Sequence, residues 1–230
     1  MIKSYIKEKI VRPLFETFNY DRYSRPSINN LDMKLEKYLD FNSGTFLEIG
    51  ANDGIKQSNT YYFEKLKKWK GILIEPIPVL YDRCKKNRKH SEVFNFICGE
   101  PDESGTIKTI RYADLMSQVD GAFNDSKKEE NHIRKGIQVQ NLNETFNVEI
   151  KCRTLSEIIN ISSYSNLDFM SIDVEGYESQ VLKGLKKEHF PKYLLIEIWP
   201  HEEREIKDLL ESSFKVEDQL TERDILFKRK

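Results

Sequence analysis

The chain has 230 residues, with 37 Lys+Arg against 38 Asp+Glu and a formal net charge of −1. That balance argues against a protein that grips nucleic acid through its phosphates, because such proteins carry a marked basic excess. Charged residues make up 33% and hydrophobic ones 38%, but an aromatic content of 11% leaves enough apolar bulk for a packed core, against disorder. No apolar run approaches the ~18 residues that a spanning helix needs. The amino-terminal MIKSYIKEKIVRPLF has charges scattered through it, unlike the apolar core of a secretory signal. Cys84, Cys98 and Cys152 are odd in number and widely spaced, which predicts neither a disulfide framework nor a zinc site. A soluble, cytoplasmic protein without a transmembrane segment is expected.

In chain order, Ile2, Ile6, Ile10 and Leu14 follow helical spacing, Pro13 interrupts it, and a polar, aromatic stretch leads to a short helix around Leu31–Leu39. Residues 1–40 read as an appended helical arm that packs on the domain or on a second subunit, a homodimer contact. Residues 41–230 read as the main domain. From Gly44 onward, short apolar runs alternate with segments of helical length. Strands are predicted at Thr45–Ile49, Gly71–Glu75, Val93–Cys98, Leu167–Ile172 and Tyr193–Trp199. Helices are predicted at Ser58–Lys68, Val79–Arg88, Tyr177–Leu185 and Glu202–Glu211. This alternation predicts an α/β fold with a mostly parallel sheet covered on both faces. Thr106–Arg111 reads as a hairpin arm, and Asp114–Asn147 as a polar segment without periodicity, either a functional lid or a disordered loop. Phe214–Glu217 and Asp224–Lys228 read as a closing antiparallel hairpin.

The stretch FLEIGANDG, Phe46 to Gly54, ends a buried strand in Glu48 and frames a turn with Gly50 and Gly54. In an α/β sheet this first turn is where a nucleotide-like ligand approaches the backbone. The spacing E-x-G-x-x-x-G is neither a dinucleotide nor a phosphate-loop pattern. An acid at the strand end suits a ligand with a cationic group and hydroxyls, as in S-adenosylmethionine. The next strand ends in Glu75, placed to accept bonds from ribose hydroxyls, and Pro76 stops the ladder. In SIDVEGYE, Asp173 and Glu175 follow the fourth predicted strand, Leu167–Ile172. They can position a methyl acceptor, serve as base, or bind a cation, whereas Glu175 can also simply favour a helix start. IEIWPH places Glu197, Trp199 and His201 at the same edge, with His201 suited to proton removal near neutral pH. His90, His132 and His189 are weaker candidates, although His132 falls in the lid segment.

Two blocks, FLEIGANDGIKQSNTYYFEKLKKWKGILIEP and IDVEGYESQVLKGL, resemble the FkbM-type methyltransferases over about Gly44 to Trp199. The resemblance implies a Rossmann-like class I methyltransferase fold: a seven-stranded, mostly parallel sheet with a reversed C-terminal hairpin. It also implies S-adenosylmethionine as methyl donor and a hydroxyl acceptor on a sugar, a glycan or a natural product. Carried over by position, Glu48, Gly50, Asn52 and Gly54 match the first cofactor motif, Ser58, Asn59 and Thr60 match the family's S-N-T, and Glu75 resembles the ribose-binding acid. Asp173 and Glu175 match D-V-E-G. The family's T-L-D reads Thr154-Leu155-Ser156 here, which leaves Ser156 as a helix cap.

The implied mechanism is in-line displacement, with Asp173 or His201 as base and Glu175 orienting the acceptor. A metal-assisted version would place Mg²⁺ on Asp173 and Glu197. Two other readings stay open. One is a non-catalytic protein that binds RNA or a membrane surface through KLKKWK (Lys65–Lys70) and CKKNRKH (Cys84–His90). The other is a cofactor binder that has lost catalysis.

Overall fold

A computed structural model describes residues 10–123 and 125–230. The predicted helical positions Ile2 and Ile6 lie outside the described residues. The chain passes through α1 (Arg12–Thr17) and α2 (Leu31–Glu36) into β1 (Thr45–Ile49), α3 (Tyr61–Leu66), β2 (Lys70–Ile74), α4 (Pro78–Asn87) and β3 (Glu92–Phe94). An inserted unit follows: β4 (Ile97–Cys98), β5 (Ile107–Arg111), β6 (Gln118–Val119), α5 (Ser126–Gln140) and β7 (Asn147–Arg153). The alternation resumes with α6 (Leu155–Ile161), β8 (Phe169–Ile172), α7 (Glu178–Lys183), β9 (Tyr193–Glu197) and α8 (Glu203–Leu210). It closes with β10 (Phe214–Gln219) and β11 (Asp224–Arg229).

The main sheet has the order β10-β11-β9-β8-β1-β2-β3. Strands β3, β2, β1, β8 and β9 run parallel, and β11 is antiparallel to both of its neighbours. This is the seven-stranded, mostly parallel sheet with a reversed hairpin that the sequence predicts. From β1 the chain steps outward one way through β2 and β3, and from β8 the other way through β9. The reversal creates a crevice at the carboxyl ends of β1 and β8, where open α/β sheets take their ligands.

Period-two alternation sends each strand's residues to two buried faces. Leu47, Ile49, Ile72, Ile74, Ile172 and Ile196 meet Ile158, Val181 and Ile206 on one side. Phe46, Leu73, Phe169 and Leu195 meet Phe63 and Trp69 on the other, and there Leu31, Leu35 and Leu39 complete the cover. Pro13 does not interrupt α1. It occupies the first turn, where its missing N–H costs nothing. Among the described residues no helix is long and apolar enough to cross a membrane. The three cysteines are buried and free, and burial pushes each thiol's pKa upward.

Two further expectations are corrected. The single strand Val93–Cys98 is two strands. β3 pairs with β2, whereas β4 leaves the main sheet and pairs with β7. The break falls at Asn95, whose side-chain amide donates to the carbonyls of Glu75 and Pro76 at 2.9 and 2.7 Å. The segment Asp114–Asn147, read as lid or disordered loop, contains the ordered helix α5. Asp125 caps its start by accepting from the N–H groups of Lys127 and Lys128. Its buried stripe is His132, Ile133 and Gly136. A Cβ at Gly136 would lie 2.9 Å from Met116 and 3.0 Å from Ala113, so the absence of a side chain is what lets the helix dock.

Candidate active site

A cleft opens at the topological switch point. Glu48, Gly50, Asn52, Asn59 and Glu75 line it together with Asp173 and Glu175. Gly54 and Ser58 do not. Both serve a layer behind the cleft.

That layer is a buried ionic network. Glu48 accepts from the Ser58 hydroxyl (2.8 Å), the Asn59 N–H (2.7 Å) and the Thr60 hydroxyl (2.5 Å), so its oxygens organise the S-N-T turn. Arg88 is fully buried. It donates to Glu64 (2.8 Å), the Gly54 carbonyl (2.9 Å), Ser58 (3.1 Å) and Thr60 (2.9 Å), and lies 3.8 Å from Glu48. Burial works against ionisation of Glu64, and Arg88 and Lys65 outweigh it, holding the carboxyl below its ordinary range.

Gly50 is dictated by sterics. Its φ is +79°, and a Cβ there would lie 2.0 Å from the Asp173 carbonyl oxygen. Gly50→Ala is expected to lose roughly 2–4 kcal/mol, from overpacking plus the left-handed conformation. Chemical denaturation measures this, and an unchanged midpoint would show that the β1 and β8 ends do not touch. The second acid, Glu75, is buried with one backbone donor on each oxygen, Asn52 and Ile77, both at 2.8 Å. Burial pushes its carboxyl up to about 8, with Asp114 and Asp53 adding to the rise and the two N–H donors opposing it.

Four non-glycine residues on this cleft hold positive φ: Asn52 (48°), Gln57 (57°), Asp114 (56°) and Glu175 (57°). Such conformations persist where surrounding bonds over-determine them, and they gather at functional sites. The inserted unit supplies those bonds. Asp114 accepts from the Asn52 amide (3.0 Å) and from Lys56 (2.6 Å), and Gln118 donates to the Glu175 carbonyl at 2.7 Å.

Asp173 and Glu175 also line a second, more open cleft, walled by α5 and the loop after β9. Asp173 is open to water there yet sits deep in the fold. Enclosure, then the charges of Glu197, Asp224 and Glu48, raise its pKa well above the ordinary range. Glu175 is raised likewise, by burial and then by Asp173 and Glu197.

Oxygens of Asp173, Glu178 and Glu197 approach within 4.8 Å of one another. This brings the expected Asp173–Glu197 pair together with a third acid. Glu178 is taken up by the N–H groups of Val174 (2.9 Å) and Gly176 (3.0 Å). Glu197 accepts from the Trp199 indole at 3.1 Å and lies 3.7 Å from Arg223.

Of the histidines, His201 is exposed and its Nε2 lies 3.3 Å from the Ala122 carbonyl. His90 is exposed on a different cleft, and His189 is buried against Asn160. The residue that sequence reasoning underrated is His132. It is buried in the second cleft, with Nε2 at 3.4 Å from Glu175. Phe123 packs against His132, Trp199 and His201 at ring separations of 5.3, 5.1 and 5.0 Å. It fits because Gly176 (φ +94°) carries no Cβ, which would come within 2.3 Å of its ring. The fixed buried stripe of α5 was the available signal for His132. It was obscured because only Ile133 and Ile137 mark that stripe as apolar.

The sequence pattern described as the methyltransferase FkbM domain matches residues 48–222. A curated relative, methyltransferase sdnD of Sordaria araneosa, is 23% identical over 171 residues, which cover 66% of this chain and 65% of the relative. The match thus spans just under two thirds of that relative's length. Among solved structures, a TehB-like SAM-dependent methyltransferase from Corynebacterium glutamicum has 8% identity and a TM-score of 0.46, covering 99% of this chain and 100% of that one. A SAM dependent methyltransferase from Aquifex aeolicus has 13% identity and a TM-score of 0.44, covering 94% and 96%.

Proposed function

We propose, since this chain belongs to the FkbM methyltransferase domain family, that it is an O-methyltransferase: the first cleft binds S-adenosylmethionine, and the second presents a hydroxyl of a sugar or glycan for methylation. The observation that carries this reading is the junction of the two clefts at Asp173 and Glu175.

The residues of the first cleft suit that donor. Gly50 lines the cleft without a side chain, and Glu75 has lone pairs to spare for two ribose hydroxyls. When bound, the donor supplies an already activated methyl group on a sulfonium. The protein's own task is then alignment of the acceptor and management of one proton. Asp173 and Glu175 stand where the two clefts meet and hold the acceptor hydroxyl by hydrogen bonds. Trp199 and Phe123 offer flat apolar faces beside these carboxyls and Glu197, a combination that suits a ring dense in hydroxyls. His201, at the outer edge, is a contact for the remainder of the acceptor.

The test is thermal. S-adenosylmethionine at a hundred times its Kd should stabilise the protein by about 2.7 kcal/mol, read as a rise in melting temperature. No shift at millimolar ligand overturns the proposal. Asp173→Ala is expected to keep the shift and to lose transfer of labelled methyl to glycans extracted from the source cell.

A further inference from the structure

The histidine inside the acceptor cleft has a geometry that a space-filling core residue does not need. His132 sits on the cleft side of α5, and its ring nitrogens have different surroundings. One bonds to the backbone carbonyl of Met116, and Nε2 has no hydrogen-bond partner among the described residues. With Nδ1 as the donor to that carbonyl, Nε2 is the nitrogen left to accept a proton. In the neutral ring this leaves a bare lone pair on Nε2, held 3.4 Å from Glu175 Oε2. That separation lacks hydrogen-bond alignment in the free protein, but it is short enough for a proton to pass once the acceptor seats Glu175.

The groups around this pair keep the ring neutral. Burial lowers the His132 pKa first, and Lys135 on the same helix and Arg223 from the β10–β11 turn lower it further, against the Met116 bond. Phe123 and Trp199 close two sides of the ring with edge-to-face contacts, at 84° and 75°, and His201 lies beyond Phe123. The backbone of Glu175 is itself fixed from the inserted unit by Gln118. The partners are thus locked from two directions.

We propose that His132 is the end point of a proton relay, receiving through Glu175 the proton that the acceptor hydroxyl sheds during methyl transfer. The inference rests on the methyltransferase reading above. As the acceptor oxygen bonds to the methyl carbon, the methyl–sulfur bond breaks and its electron pair stays on sulfur. The hydroxyl proton passes to Glu175 as the proton on Glu175 passes to His132 Nε2. One positive charge disappears from sulfur and one appears on the imidazole, so the site changes no net charge. His132 acts through Glu175 and is a positioning and relay residue. Its place on α5 makes docking of the inserted helix a condition of turnover.

The experiment is side-chain nitrogen NMR of histidine-labelled protein, free and saturated with S-adenosylhomocysteine. At pH 7, His132 is expected to show a protonated Nδ1 and a bare Nε2, with a titration midpoint below 6.5. Glu175→Gln should move both the Nε2 resonance and the midpoint of His132 while leaving His201 in the same spectrum unchanged. A protonated Nε2 with a bare Nδ1 at pH 7, or a His132 signal indifferent to Glu175→Gln, overturns the relay. Melting temperature with S-adenosylhomocysteine reads the cofactor assignment separately, so failure of that assignment is recognised by itself.

Discussion

Arg88→Met is expected to destabilise the protein by about 3–5 kcal/mol, because it strands buried carboxylates without their counter-charge. Glu64 and Glu48 are almost wholly buried, and Arg88 joins them. Methionine fills much of the same volume, so the loss reports charge and hydrogen bonds more than a cavity. For a chain of this size, that is a fall in melting temperature of roughly 10 °C. The same side chain holds the Gly54 carbonyl, Ser58 and Thr60, which lie behind the first cleft and support it. S-adenosylhomocysteine binding should therefore weaken as well. The double variant Arg88→Met/Glu64→Gln should recover part of the stability, since one stranded charge is gone. A single variant that loses less than about 1 kcal/mol would mean that the network adds nothing net.

Glu75→Gln should weaken S-adenosylhomocysteine binding by about a hundredfold to a thousandfold, from two charge-assisted hydrogen bonds at about 1.5–3 kcal/mol each, offset in part by what the amide still accepts. The wild-type site should also bind more tightly as pH rises, by nearly tenfold per unit below pH 8. Ribose hydroxyls donate to the ionised carboxyl, and burial has pushed that ionisation up to about 8. Binding should release a proton, detectable by calorimetry in buffers of different ionisation enthalpy. Equal affinity at pH 6 and pH 8 would remove Glu75 from the site.

The free protein should show the converse linkage. Between the ordinary value of 4.5 and about 8, the folded state holds a proton that the unfolded chain has lost. Stability from this group is full below that window and declines as pH rises through it. Glu75→Gln should flatten that slope in denaturant titrations.

How much of this was legible beforehand differs by feature. The strands β1, β2, β8 and β9 announced themselves as short apolar runs because both of their faces are buried, and the acids at their ends stood out against those runs. The hairpin at β10 and β11 followed from its turn. The E-x-G-x-x-x-G turn placed the cleft, since a glycine that must approach another strand's carbonyl cannot be replaced cheaply. The division of Val93–Cys98 was hidden, because it depends on Asn95 bonding to carbonyls of a different loop. Helix α5 was hidden as well, because a helix docked through a histidine and a glycine shows little apolar periodicity.

The sequence by itself determined which residue types lie where the strands end: Glu48, Glu75, Asp173 and Glu197, in a chain whose total charge is near zero. Only the tertiary structure decided what each one does. Glu48 and Ser58 turn inward to Arg88, a residue that reads as part of a solvated lysine run in CKKNRKH and is instead fully buried. Glu178 is held by backbone N–H groups of the turn after β8, and Glu197 accepts from the Trp199 indole. Glu175 is aimed by Gln118 toward a histidine far from it in sequence. Strand ends are local consequences of hydrophobic pattern, which a sequence carries in order. A carboxyl's protonation and partner depend on burial and on charges brought from distant segments, and those exist only once the chain has folded.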